Sequence, residues 1–201
     1  MKTDLLRLRG AAVAGGVTGL IADAFLILFY VVARPWTDDP GDSWLGPAND
    51  VLVLLQYLAL VPVVLGLGRL MAGDARARVW TRIGLAAAVL VVVLQALLLT
   101  GLMPFEYQVV PVSLSAVAGM CWAGAISAAG ARTRILPAAV TRLGRAIAIG
   151  LPVAAGAFGA GFLVTAVFDV PWAWAAGGIP GAIVWTMFPA WTLLVGLRRP
   201  R

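Results

Sequence analysis

The sequence predicts an all-α, polytopic membrane protein whose whole length, residues 1–201, forms a single transmembrane domain of six helices. Of its residues, 62% are hydrophobic and 12% are charged, whereas soluble domains average about 45–50% and 25%. The mean hydropathy is +0.96. Apolar runs long enough to cross a bilayer recur six times, at 10–32, 51–70, 83–102, 109–129, 146–168 and 179–197. The stretches between these runs are too short to bury a core of their own.

The placement of the basic residues predicts the orientation. Except for Arg34, every Lys and Arg lies near the start of the first run, the 2–3 connection, the 4–5 connection or the end of the sixth run. These four places fall on one side of a six-span bundle, so the positive-inside rule predicts that both termini are cytoplasmic. The basic residues on this side are Lys2, Arg7, Arg9, Arg69, Arg76, Arg78, Arg82, Arg132, Arg134, Arg142, Arg145, Arg198, Arg199 and Arg201.

The grouping and the type of the basic residues also indicate the partners of the protein and its location. Their grouping at one side of the spans favours the lipid bilayer as the partner, including its anionic lipids, and argues against nucleic acid. All but one of the basic residues are arginine, and Ala, Gly and Val are abundant. That composition is typical of a GC-rich bacterial genome. We therefore expect a multi-pass protein of a bacterial plasma membrane.

A weak internal repeat leaves two interpretations open. Pro-aromatic pairs follow each run that leads away from the basic side, at Pro35-Trp36, Pro104-Phe105 and Pro171-Trp172. This spacing is typical of three related two-helix hairpins. Prolines and aromatic residues also collect independently at membrane interfaces.

One carboxylate stands inside the first run. Gly15, Gly19 and Asp23 are spaced by four residues, so they share one helix face on which small residues allow a second helix to approach closely. An ionised Asp at the bilayer centre costs about 2.5–3.5 kcal/mol on insertion scales, so Asp23 is expected to face protein or water. It is a candidate for binding an ion, a proton or a ligand, and the alternative is a polar contact that joins helices.

Two glutamines complete a candidate binding site. Gln56 in the second run and Gln95 in the third are expected at a depth similar to that of Asp23, on the side away from the basic residues. Tyr30 lies on the same face as Asp23, seven residues further along the first run. Together these four residues predict a pocket that opens outward. Each glutamine alone also fits a hydrogen bond between helices.

The composition narrows the possible chemistry. There is no histidine, so His-ligated metals, haem with a His ligand and Ser-His or Cys-His catalysis are excluded. The single cysteine, Cys121, has no second cysteine in the chain for a disulfide. No cofactor and no metal is therefore expected.

Three functions remain after these exclusions. The sequence favours a non-catalytic membrane subunit or scaffold, acting with other membrane subunits or as a homo-oligomer. The alternative is a small-solute or proton-linked transporter or sensor whose pocket surrounds Asp23. The third is a membrane enzyme acting on a lipid, with Asp50, Glu106 or Asp169 as acid and base.

Overall fold

The computed structural model describes residues 2–33, 44–170 and 172–197, and within them the chain forms six long α-helices. Each is long and apolar enough to cross a membrane, which confirms the predicted all-helical, multi-pass class. Arg34, the Pro35-Trp36 pair, Pro171 and residues 198–201 lie outside the described residues. The helices are α1 (Lys2–Ala33), α2 (Leu45–Leu70), α3 (Ala75–Leu99), α4 (Phe105–Thr133), α5 (Ala138–Phe168) and α6 (Ala173–Leu197).

All six helices begin before their apolar runs, and at α3 a side-chain cap fixes the start. α3 begins at Ala75, eight residues before its apolar run, because the Asp74 side chain accepts hydrogen bonds from the backbone N–H groups of Arg76 and Ala77, at 2.9 and 3.0 Å. It ends at Leu99, and Gly101 then takes a positive φ of 72° that a residue with a side chain rarely adopts.

The helices form a closed ring. Each helix packs against its neighbours in the chain, and α6 also packs against α1. Consecutive helices run in opposite directions, so the ring has a basic end and an opposite end. The basic end comprises the start of α1, the α2–α3 and α4–α5 connections and the end of α6. The opposite end comprises the other helix termini.

Aromatic side chains fill the middle of the ring. The ring of Tyr57 lies 6.3 Å from that of Phe188, which stacks on Trp191 at 6.4 Å, and Trp191 meets Trp122 edge to face at 5.4 Å. These four residues, here the aromatic core, are at most 3% exposed. Trp122 also packs over Gly84, where an added Cβ would lie 2.5 Å from the indole. The ring of helices is therefore closed across its centre by packed side chains.

One hydrogen bond joins α6 to α4 within the bundle, at a point that α5 approaches closely. The Trp191 indole N–H donates to Ser127 Oγ at 2.9 Å, and both groups are buried. A Cβ at Gly144 would overlap the Ser127 side chain. The absence of a side chain at Gly144 thus lets α5 approach this bond closely.

α5 separates from α4 at the opposite end but stays packed on α6. Its first half packs against α4, where a Cβ added at Gly124 would lie 2.8 Å from the Cβ of Ala148. Its second half is largely exposed, with Phe162 and Leu163 each at 62%. Between α4 and the α5–α6 pair this leaves an apolar cleft of about 620 Å³, which Val117, Phe158 and Trp185 help to line.

An ion pair joins α3 to α4 at the basic end. Arg132 Nη2 donates to Asp74 Oδ2 at 2.7 Å. This contact, with the backbone N–H groups of Ala77 and Arg76, holds the pKa of the Asp74 carboxyl below its ordinary value of 3.8. A lowered pKa means that the folded protein binds the proton less tightly than the unfolded chain, so acid destabilises it.

We therefore predict a loss of stability in acid that depends on Asp74. The contribution of Asp74 is complete above about pH 5 and falls as the pH drops below about 4, toward the lowered pKa. Melting temperatures of the purified protein between pH 3 and pH 6 measure it. Asp74→Asn should flatten this slope, whereas Glu106→Gln, which removes an exposed carboxylate, should leave it unchanged. Equal slopes in the wild type and Asp74→Asn would contradict the prediction.

Candidate functional site

The glycine face of α1 lies against α2 and α6. A Cβ added at Gly16 would lie 2.5 Å from the backbone N of Leu193. One added at Gly19 would lie 2.6 Å from the amide of Gln56 and from Pro189. The absence of side chains at these glycines brings the three backbones together, and this orients the Asp23 side of α1 toward the protein interior.

Asp23 is buried, with 7% of its surface exposed. Its Oδ2 atom is enclosed and has no hydrogen-bond partner among the described residues. Tyr57 of α2 lies close enough for the charge of the Asp23 carboxylate to act on its phenol. A buried polar atom without a partner costs about 1–3 kcal/mol, so such atoms are rare unless water or a ligand supplies the missing bond.

Gln95 is paired with an aspartate from the neighbouring helix. Its side-chain amide lies beside the carboxylate of Asp50 on α2, close enough to interact with it. Gln95 is 3% exposed, and its Oε1 atom has no partner among the described residues. The pair therefore presents one further unpaired acceptor inside the bundle.

A third unpaired group comes from Gln108 on α4. This residue is 2% exposed, and its Nε2 atom is enclosed without a partner among the described residues. Gln108 was not among the residues predicted from the apolar runs, because it lies just before the run 109–129. The helix begins at Phe105, directly after Pro104 in the N-cap position. A proline before a helix is the signal that would have placed Gln108 inside it.

The helix register places Asp23 and Asp50 at similar depths. α1 and α2 run in opposite directions and meet at Gly19 and Gln56. Asp23 is four residues beyond Gly19, so it is level with Leu52, and Asp50 is about 3 Å closer to the opposite end. Gln56 lies about one turn deeper.

The register of α3 against α4 gives the relative depths of Gln95 and Gln108. α3 and α4 meet where Trp122 packs over Gly84. Counted from these two residues, Gln108 is about 4.5 Å closer to the opposite end than Gln95. Since the Gln95 amide lies beside the Asp50 carboxylate, all four residues fall within a layer about 8 Å thick. We call Asp23, Asp50, Gln95 and Gln108 the polar layer.

The remaining candidates from the sequence lie elsewhere. Tyr30 is 44% exposed and packs edge-on against Phe29, so it is outside the polar layer. Glu106 and Asp169 are exposed at the ends of α4 and α5. Of the four residues predicted as a pocket, Asp23, Gln56 and Gln95 are buried in the half of the bundle toward the opposite end.

The arrangement suits a small guest of defined polarity. Carboxylate oxygens and the amide oxygen of Gln95 accept hydrogen bonds, and the amide of Gln108 donates one. Such a set favours a proton, a hydrated cation or a small solute that carries an N–H or O–H donor. The aromatic core closes the bundle on the basic side of this layer.

No family model, no curated protein and no solved structure matches the chain. The fold and the buried polar layer define the class, which is a multi-pass membrane protein with six apolar helices and ionisable groups inside its bundle.

Proposed function

We propose that the protein is a non-enzymatic membrane protein that takes up a small polar solute or a proton in the polar layer, as a sensor or as one state of a proton-linked transporter. Among the described residues four enclosed polar atoms have no hydrogen-bond partner, and one of them, Trp122 Nε1, lies in the aromatic core. The observation that carries this proposal is that the other three, Asp23 Oδ2, Gln95 Oε1 and Gln108 Nε2, gather in the polar layer. Three different helices supply them at similar depth. A bundle held together only by packing has no need for such atoms.

The direction of access follows from the charge distribution. The placement of the basic residues supports cytoplasmic termini in a bacterial plasma membrane, with the polar layer toward the outside. Packing of the aromatic core supports access from that side alone in this conformation. We infer that a guest enters from the outer face.

Thiol labelling tests this access without knowledge of the solute. Single cysteines at positions 23, 95 and 108, in a Cys121→Ser background, are expected to react with a membrane-impermeant maleimide added outside intact cells. The physical reason is that water reaches a site with unpaired polar groups more readily than a packed apolar core. The measurement is the rate of mass-tag incorporation.

Two matched positions make the result decisive. Glu106→Cys, exposed at the opposite end, should label fastest, and Ile147→Cys, fully buried at the level of the aromatic core, should not label. If positions 23, 95 and 108 stay as unreactive as position 147 while Glu106→Cys reacts, the outward polar site is wrong. Labelling of Glu106→Cys from the cytoplasmic side alone would reverse the orientation.

A second function is supported by a separate observation. The exposed second half of α5 and the apolar cleft beside it form a surface that a partner span would cover, as in a membrane subunit or scaffold. In that case Asp23 is a structural contact that joins helices. The two functions predict opposite effects of removing the Asp23 carboxylate on the stability of the protein.

A further inference from the structure

A second polar feature lies at the basic end, away from the polar layer. A groove of about 470 Å³ runs between α4 and α5, and we call it the basic groove. Arginines line it toward the basic end, and small residues line it toward the middle of the bundle. The lining residues are Gly124, Ser127, Ala128, Ala131, Arg132, Thr141, Arg142, Arg145 and Ala148.

Among the described residues, a carboxylate compensates only one of the three arginines that line this groove. The sequence contains no Asp or Glu between Glu106 and Asp169. Arg132 is paired with Asp74 of α3. Arg142 donates from Nε to the backbone oxygen of Ala138 at 3.3 Å, a bond that leaves its terminal nitrogens available. Arg142 and Arg145 are therefore positioned to bind an anion.

The small residues explain why the anion would carry an acyl chain. Gly124, Ala128 and Ala131 follow one another along α4 over about 10 Å, and Ala148 faces them from α5. This surface is apolar and has no large side chain to fill it. A free phosphate would use the arginines alone, whereas a phospholipid would use both parts of the groove.

We propose that the basic groove binds one anionic phospholipid of the leaflet at the basic end, with its phosphate at Arg142 and Arg145 and an acyl chain along the small residues of α4. Basic pockets between membrane helices are typical sites for anionic headgroups. The basic groove shares no residue with the polar layer, so lipid binding can be measured without a guest in the polar layer.

The test uses purified full-length protein in a neutral detergent with dioleoylphosphatidylglycerol as the probe and dioleoylphosphatidylcholine as the neutral comparison. Native mass spectrometry measures the apparent Kd of each lipid. We expect tighter binding of phosphatidylglycerol. Arg142→Gln with Arg145→Gln should weaken it about 25-fold, because each arginine near an anionic lipid contributes about fivefold.

Two further variants separate this site from basic charge in general. Arg78→Gln with Arg82→Gln removes the same charge from exposed positions of α3 at the same end and should leave the Kd unchanged. Ala128→Phe keeps every arginine but fills the groove and should weaken lipid binding. Because it retains the charges, it also serves if the double arginine variant fails to fold.

Several results would overturn the proposal. These are equal Kd values for the two lipids, an equal loss in both arginine pairs, or unchanged binding in Ala128→Phe. Displacement of the lipid by millimolar inorganic phosphate would assign the arginines to free phosphate instead. Since the readout is lipid binding, failure here leaves the thiol-labelling result for the polar layer untouched.

Discussion

Replacing Asp23 with valine is expected to stabilise the protein, raising the free energy of unfolding by about 1–3 kcal/mol, the cost of an enclosed polar atom without a partner. Valine is close to aspartate in volume, so the substitution leaves little cavity. In a separated helix the carboxylate reaches water by local thinning of the bilayer. In the folded bundle Oδ2 is enclosed, so removing it lowers the free energy of the folded state more than that of the unfolded state. Reversible unfolding in mixed micelles measures the difference.

Asp50 provides the matched control for this experiment. It lies at a similar depth, but its carboxylate has the Gln95 amide beside it as a donor. Asp50→Val should therefore lower the free energy of unfolding, because it leaves the buried amide of Gln95 without its acceptor. Opposite signs for two aspartates in one layer would support a binding role for Asp23. A loss of stability in both variants would favour the structural role and the membrane-subunit function.

The number and class of the helices could be predicted from the sequence because each span must be apolar throughout its length. Their boundaries could not, because a helix continues past the hydrocarbon region, where arginines and caps are tolerated. α1 begins at Lys2 and α3 at Ala75, both eight residues before their apolar runs. The caps at Asp74, Pro104 and Pro137 are local signals that an apolar run does not contain.

The order of the helices around the ring was beyond the sequence for a different reason. A helix that is apolar on every side has no stripe that identifies its buried face. Glycines supplied part of this information, since Gly15 and Gly19 indicated a close helix contact. Gly19 meets both Gln56 and Pro189 because α6 packs against α1. Only the structure shows that contact between α6 and α1.

The candidate site was predicted in part. Asp23, Gln56 and Gln95 stand out because each is a polar residue within an apolar run. The pairing of Asp50 with Gln95 could not be predicted, because it depends on the register of α2 against α3. The bond between Trp191 and Ser127 joins residues 64 positions apart and has no signature in the spacing of either helix.

Trp191→Ala is expected to cause the largest loss of stability, about 3 kcal/mol, the lower end of the range for truncating a buried tryptophan. Trp191 is fully buried, contacts Phe188 and Trp122, and donates to Ser127. In a bilayer the separated helix is already in an apolar medium, so the loss comes from the cavity and the hydrogen bond rather than from transfer out of water. Reversible unfolding in mixed micelles measures it.

Two further variants show what causes this loss of stability. Ser127→Ala isolates the hydrogen bond, and Trp172→Ala is the control for truncating a tryptophan. Ser127→Ala keeps the indole but removes its acceptor, so it should cost about 1–3 kcal/mol, the penalty for a buried donor without a partner. Trp172→Ala truncates a tryptophan that is 70% exposed and should change stability little. If Trp191→Ala cost no more than Trp172→Ala, the aromatic core would not hold the ring together. The aromatic core would then no longer explain why a guest reaches the polar layer only from the outer face, because the same packed residues form that barrier.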